Sequence, residues 1–220
     1  LLLSISSGQL WEVDIASGTS RRQVTFPQPL SAAAVAGERG RIYQLGDHSN
    51  LYVLHSQTLQ CDGVFYLGHK RATIQYAPQP AAGFLAVAEN HALRQSRLHL
   101  LRETNRAPLL ETAQLPVLLE GHFGSPLIAD QTRIAAVASD GAATLLEIDP
   151  AAENSPMSII AKNSGGQQRS AALAVMRQGY LLVGNRRLAS YRTASARGAL
   201  SPRWVNHDGD TFVGSMWLIG

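Results

Sequence analysis

Apolar and polar residues alternate along this chain in short runs, and each run stops at a cluster of turn-forming residues. Leu10-Trp11-Glu12-Val13-Asp14-Ile15 alternates and ends at Ala16-Ser17-Gly18-Thr19. Arg41 to Leu45 alternates, breaks at Gly46-Asp47-His48-Ser49-Asn50, and resumes at Leu51-Tyr52-Val53-Leu54. Arg133 to Ala138 meets Ser139-Asp140-Gly141-Ala142 and continues as Ala143 to Asp149. Tyr180 to Val183 is followed by Gly184-Asn185-Arg186-Arg187 and then Leu188 to Tyr191. A period of two bounded by tight polar turns predicts half-buried strands, and helical periodicity is poor nearly everywhere. The stretch after Asn90 reads as a long hairpin loop, 90–96, leading to a strand at 97–101. The expected fold class is all-β.

The strand–turn–strand unit repeats. Equivalent strands are expected near Trp11, Tyr52, Leu98, Leu146 and Tyr191, at spacings of 41, 46, 48 and 45 residues. A period of about 40–50 residues with four short strands per unit is the sequence mark of a β-propeller. A single such sheet cannot bury both of its faces, so each needs its neighbours to supply a core. The expected architecture is four-stranded antiparallel blades, about five in number, in one domain spanning 1–220. The approximate blades are 1–29 plus 210–220, 30–73, 74–120, 121–170 and 171–209. Three leading strands and one trailing strand at Thr211 to Ile219 could complete a blade between them, which would close a five-bladed ring. The alternative is an arc of a larger ring. The strand-like Leu1-Leu2-Leu3 and the apolar last residues also read as a piece of a longer polypeptide.

Particular residues resemble known propeller repeats. Gly68-His69 and Gly121-His122 resemble the Gly-His pair that opens a WD-repeat blade, which implies a structural hydrogen bond from each His. Val137-Ala138-Ser139-Asp140-Gly141 through Leu146-Glu147 resembles the closing half of such a repeat, and Trp11-Glu12 is similar to its ending. Leu10 to Gly18 also resembles the repeats of quinoprotein-like propellers, whose strands end in an Asp-x-x-Ser/Thr-Gly turn. Quinone-dependent enzymes of that kind would need a docking Trp in each blade, adjacent cysteines and a calcium site. Here only Trp204 sits comparably and there is one Cys, so no cofactor is expected.

Charge sharpens the picture. The chain of 220 residues has a formal charge of +3, and only two of its 19 basic residues are Lys. No acidic residue lies between Glu153 and Asp208, an interval holding Lys162, Arg169, Arg177, Arg186, Arg187, Arg192, Arg197 and Arg203, interleaved with Tyr180, Tyr191 and Trp204. Arg suits planar, bidentate contacts to carboxylates and phosphates. The interval is read either as a solvated face or as a surface for an acidic partner.

Reactive constellations are sparse. A single cysteine, Cys61, excludes an intrachain disulfide and a multi-cysteine zinc site, and reads as a buried or indifferent thiol after a strand. No apolar run is long enough for a membrane helix. His91 and His99 form the nearest thing to a ligand pair, and a loop separates them. His207-Asp208-Gly209-Asp210 reads as a hairpin turn and lacks the spaced acids of a calcium loop. Gly165-Gly166-Gln167-Gln168 lacks the Lys-Ser/Thr of a phosphate cradle. No Gly-x-Ser-x-Gly elbow occurs.

The expected function is therefore a non-enzymatic scaffold, without catalytic or metal residues, that binds another, acidic protein within a larger polypeptide and is itself monomeric as a fragment. Its contact surface is expected at Arg169, Arg186, Arg187, Arg192, Arg197 and Arg203. The alternatives are a propeller enzyme, either quinoprotein-like or a metal-dependent hydrolase, and a nucleic-acid or other anionic surface binder through 162–203. Aromatic residues are too few there for a stacking platform, which ranks nucleic acid below protein.

Overall fold

The computed structural model describes residues 1–68, 73–91, 95–163, 173–184 and 188–206. Among these there is no α-helix, and the strands form five sheets that follow one another along the chain. Sheet one contains β1 (Leu2–Ile5), β2 (Gln9–Val13) and β3 (Ser20–Thr25). Sheet two contains β4 (Val35–Ala36), β5 (Arg41–Leu45), β6 (Asn50–His55) and β7 (Cys61–Tyr66). Sheet three contains β8 (Gln79–Ala81), β9 (Phe84–His91) and β10 (Gln95–Glu103), whose outer partner comes in two pieces, β11 (Leu110–Thr112) and β12 (Val117–Glu120). Sheet four contains β13 (Ile128–Asp130), β14 (Arg133–Val137), β15 (Ala143–Ile148) and β16 (Met157–Lys162). Sheet five contains β17 (Leu173–Arg177), β18 (Tyr180–Gly184), β19 (Leu188–Arg192) and β21 (Pro202–Asn206). A short β20 (Gly198–Ala199) leaves sheet five to pair in parallel with β16.

Sheet one has three strands, and two further sheets depart from the simple four-strand unit. In sheet three, Gln114 fills the break between β11 and β12. Its side chain accepts from Met157 N at 2.6 Å and donates to Met157 O at 3.0 Å, so it stands in for a strand neighbour of sheet four. In sheet four, β20 supplies a fifth strand through the pairs Ala161↔Gly198 and Lys162↔Ala199. The expected loop at 90–96 is also shorter: β9 runs on to His91 and β10 starts at Gln95, in register Gln95↔His91. Cys61 opens β7 instead of following a strand, and it is exposed.

Hydrophobic burial explains why the sheets stack face to face. The second strands of the inner sheets are buried on both sides, so consecutive residues serve different neighbours. In β9, Leu85 and Val87 pack toward sheet two, while Ala86 pairs with the core shared with sheet four. In β14, Ile134 and Ala136 face sheet three, and Ala135 and Val137 face sheet five. The result is four apolar clusters, one at each junction between consecutive sheets. Among the described residues no cluster joins sheet five to sheet one. The outer face of sheet one, away from sheet two, leaves Leu3 42% exposed. The trailing strand expected at Thr211 to Ile219 lies outside the described residues.

Polar groups are paired across the same junctions. Gln44 is fully buried in β5, where its amide donates to Ala32 O and Leu45 O, both at 2.8 Å. Its carbonyl accepts from Ser4 Oγ of sheet one at 2.6 Å. Asn90 and Ser96 do the same between sheets three and four: Phe123 N donates to Asn90 Oδ1 at 2.7 Å, and Ser96 Oγ contacts Gly121 O. A buried amide or hydroxyl without such partners would be strongly destabilising.

Candidate functional site

The site is built from a turn that recurs at the start of each second strand. In sheets two, three and five a two-residue turn with positive φ at both positions joins the first two strands. These turns are Arg39-Gly40 (56° and 70°), Ala82-Gly83 (51° and 80°) and Gln178-Gly179 (51° and 78°). Such turns match the natural twist of a hairpin and fix where the next strand begins. Arg41, Phe84 and Tyr180 therefore hold the same place in their sheets, and Arg133, after Gln131 (55°), holds it in sheet four. Opposite them across the ladder stand His55, Arg102, Arg192 and Glu147 respectively. In sheet one the matching row is Leu2, Glu12 and Arg22.

This row lies at the end of the sheets where the third and fourth strands connect. At every junction an arginine of one sheet donates to backbone carbonyls in that connection of the following sheet. Arg22 reaches Ser56 O at 3.2 Å, and Arg41 reaches Thr104 O at 2.7 Å and Leu109 O at 3.1 Å. Arg102 reaches Glu153 O at 3.5 Å, the longest of the set. Arg133 reaches Thr193 O at 2.5 Å and Ala194 O at 3.1 Å. The direction is the same each time, from the earlier sheet to the later.

Each of these arginines also has a carboxylate. Arg22 pairs with Glu12, Arg41 with Glu103 at 3.7 Å, Arg102 with Glu111 at 3.8 Å, and Arg133 with Glu147 at 3.4 Å. The hydrogen bond from Arg22 holds the Glu12 carboxyl below its ordinary range. Between sheets two and three, burial pushes the Tyr43 phenol up, and the adjacent Glu103 carboxylate pushes it further.

The fifth row differs. Its register partners are Arg177, Tyr180 and Arg192, and it contains no carboxylate. Arg203 lies 5.5 Å from the centre of the Tyr180 ring and donates to the Tyr180 hydroxyl at 2.7 Å. Arg102 rests on Phe84 in the same way in sheet three, at 5.6 Å. Arg192 and Arg203 are both exposed, and among the described residues neither has an acidic partner. Of the acid-free interval of the sequence, Arg192 and Arg203 thus meet at Tyr180 on the rim of sheet five.

No family model matches the chain, and no curated protein matches it. Solved structures do. The chain is similar to BamB from Moraxella catarrhalis, a β-propeller, with 14% identity, 96% of this chain and 59% of that one covered, and a TM-score of 0.58. It is similar to the propeller Hsv2 from Kluyvelomyces marxianus, with 11% identity, 90% and 60% covered, and a TM-score of 0.58. It is also similar to the computationally designed Ika8 protein, with 13% identity, 100% and 62% covered, and a TM-score of 0.69. The fold is a β-propeller. The chain spans about three-fifths of the length of the solved structures it matches.

Of the arginines singled out from sequence, the propeller brings Arg192 and Arg203 together around Tyr180. Arg197 is exposed but bound to Glu147 of sheet four at 3.2 Å. Arg169, Arg186 and Arg187 lie outside the described residues, as do His69, Gly165 to Gln168 and His207 to Asp210. His122 bonds through Nε2 to His91 O at 2.8 Å, a link between the third and fourth repeats. His99 is buried 2.5 Å from the buried Glu89 carboxylate. Among the described residues no three His, Cys, Asp or Glu side chains converge. The row of Arg22, Arg41, Arg102 and Arg133 was not picked out from sequence. Its signal was the paired residues before each second strand, notably Arg39-Gly40, Ala82-Gly83 and Gln178-Gly179.

Proposed function

We propose that this chain is a non-enzymatic interaction module that binds another protein through the cationic rim of its fifth sheet. The observation that carries this is the contrast between rows: four arginine rows have carboxylate partners, and the fifth presents Arg192 and Arg203 around Tyr180 with none. Arginine in a fixed fork offers directional donors to carboxylates and backbone carbonyls, the acceptors a protein partner supplies. Arg203 covers one face of Tyr180, which disfavours stacking of a nucleic-acid base there.

The test is capture with immobilised chain, followed by titration of the identified partner in purified form. Binding should weaken with added salt and fall by about tenfold or more with Arg192→Glu plus Arg203→Glu, because like charges then face the partner's acceptors. A purified partner that binds both forms equally would remove the rim as the contact surface.

A further inference from the structure

We propose that the outer edge of sheet two, strand β7, is a docking site for an extended segment of a partner protein, which adds to the sheet as a fifth strand. The segment it fits has apolar residues at alternate positions and a Lys or Arg beside Asp62. The site lies on sheet two and does not depend on the rim of sheet five.

Sheet four already shows such an addition. There β20 pairs in parallel with the outer strand β16, and Leu200 N donates to Lys162 O at 2.7 Å. The ladders locate the same place in sheet two. Counted from the equivalent Arg133 and Arg41, the row Ala136, Thr144 and Lys162 corresponds to Gln44, Tyr52 and Val64. Leu67 N donates to Ser49 O at 3.0 Å, and bonding alternates along an antiparallel pair. Phe65 and Leu67 therefore face β6, while the N–H and C=O of Val64 and Tyr66 point outward. Among the described residues no strand pairs with that edge.

The other outer strands carry features that oppose pairing. β3 has Arg21 and Arg22, Pro116 stands in the break between β11 and β12, and β21 starts with Pro202-Arg203. β16 is covered by β20 where it ends in Lys162. Charged side chains, Pro and covering segments are the usual protection of a sheet edge. β7 has no Lys, Arg or Pro, and its Val64 and Tyr66 are 55% and 64% exposed.

Size and charge select the occupant. Val64 and Tyr66 leave on the order of 200 Å² of side chain open, whereas a stable dimer buries about 800 Å² per copy. A second folded copy is therefore poorly held by this edge. A short extended segment is held by main-chain bonds, with its alternate side chains setting specificity. Asp62 is the extra residue of the bulge opposite Val53 and Leu54; it is exposed and has no cationic partner among the described residues. It selects a basic side chain at the end of the segment.

The test is fluorescence anisotropy of a labelled Lys-Val-Thr-Val-Thr-Lys peptide titrated with the full chain. The expected result is saturable binding with a Kd of about 100 µM. Methylation of the four central amide nitrogens of the peptide should abolish it, since side chains and charge remain but the donors are gone. Val64→Pro, which removes only an outward N–H, should weaken binding about fivefold or more. Asp62→Lys should weaken this peptide and favour the version with Glu at both ends. By NMR, amide hydrogen exchange at Val64 and Tyr66 should slow on binding, while that at Phe65, already bonded to β6, should not change. No saturable binding up to about 2 mM, or equal binding of the methylated peptide, would overturn the proposal. So would self-association of the wild-type chain that Val64→Pro abolishes, because the edge would then belong to a second copy.

Discussion

Arg133 and Arg197 both bind Glu147, yet replacing each with Met should have very different effects. Arg133 is 20% exposed and Arg197 61% exposed, with Glu147 at 31%. Arg197→Met removes an exposed ion pair, for which about 0–1 kcal/mol is typical. Arg133→Met leaves Glu147 bound to Arg197 but removes two charge-assisted bonds, to Thr193 O and Ala194 O. The Thr193 carbonyl belongs to a residue 1% exposed and retains only a 3.2 Å bond from Ala196 N, while Ala194 is exposed and rehydrates. Bonds to charged groups contribute about 1.5–3 kcal/mol, so a loss of about 2 kcal/mol is expected. Met preserves the apolar stem and limits any packing loss. With a urea m-value of about 2 kcal/mol/M, the midpoint should fall by about 1 M for Arg133→Met and by under about 0.5 M for Arg197→Met. Equal shifts would show that ion pairing to Glu147, and not the carbonyl contacts between sheets, carries the energy.

Four further outcomes are expected. Gly83→Ala should cost about 1–2 kcal/mol, since its φ of 80° is left-handed and the site is open. Gly179→Ala should cost more in the same urea assay, because its φ is 78° and an added Cβ would meet Ala194 Cβ at 3.2 Å. Leu145→Ala, at a fully buried side chain between sheets four and five, should lower stability by about 2–5 kcal/mol, and a change under 1 kcal/mol would contradict its burial. For Glu12, whose folded pKa is depressed, the stabilisation is present above the unfolded carboxyl pKa and is lost as pH falls through the folded one. NMR titration of the Glu12 carboxyl should therefore show a low midpoint that moves up in Arg22→Met, and an unchanged midpoint would mean the Arg22 contact is not formed in solution.

The strands were legible where apolar and polar residues alternate between tight turns, as in β2, where Leu10 is buried between the partly exposed Gln9 and Trp11. The positions expected near Trp11, Tyr52, Leu98, Leu146 and Tyr191 all fall in strands that hold the same place in successive sheets. The length of β9 was not legible, because its last residues, Glu89-Asn90-His91, are polar and read as the start of a loop, whereas Glu89 and Asn90 are buried within the strand. Nor were the break in sheet three and the pairing of β20, which depend on one side chain, Gln114, and on a neighbouring sheet's edge. At the site, composition revealed the acid-free interval but could not tell Arg197 from Arg192. Only the register shows that Glu147 of another sheet stands beside the first and that none of the row partners of the second is acidic.

An open fifth rim requires that sheets one and five be apart, and one distance decides this. Spin labels at Ser17→Cys and Ser195→Cys, in a Cys61→Ser background, report the separation of their outer connections by pulsed electron resonance. Sheets pack about 10 Å apart, so five sheets on about three-fifths of a ring of about eight place the first and fifth roughly opposite, about 26 Å apart at their centres and farther at the connections. In a closed ring of five the same two sheets would be neighbours, about 10 Å apart at their centres. The open arc predicts a distance distribution beyond about 30 Å. A distribution centred within about 20 Å would mean that sheet one already covers the fifth row, and the rim would have no partner to bind.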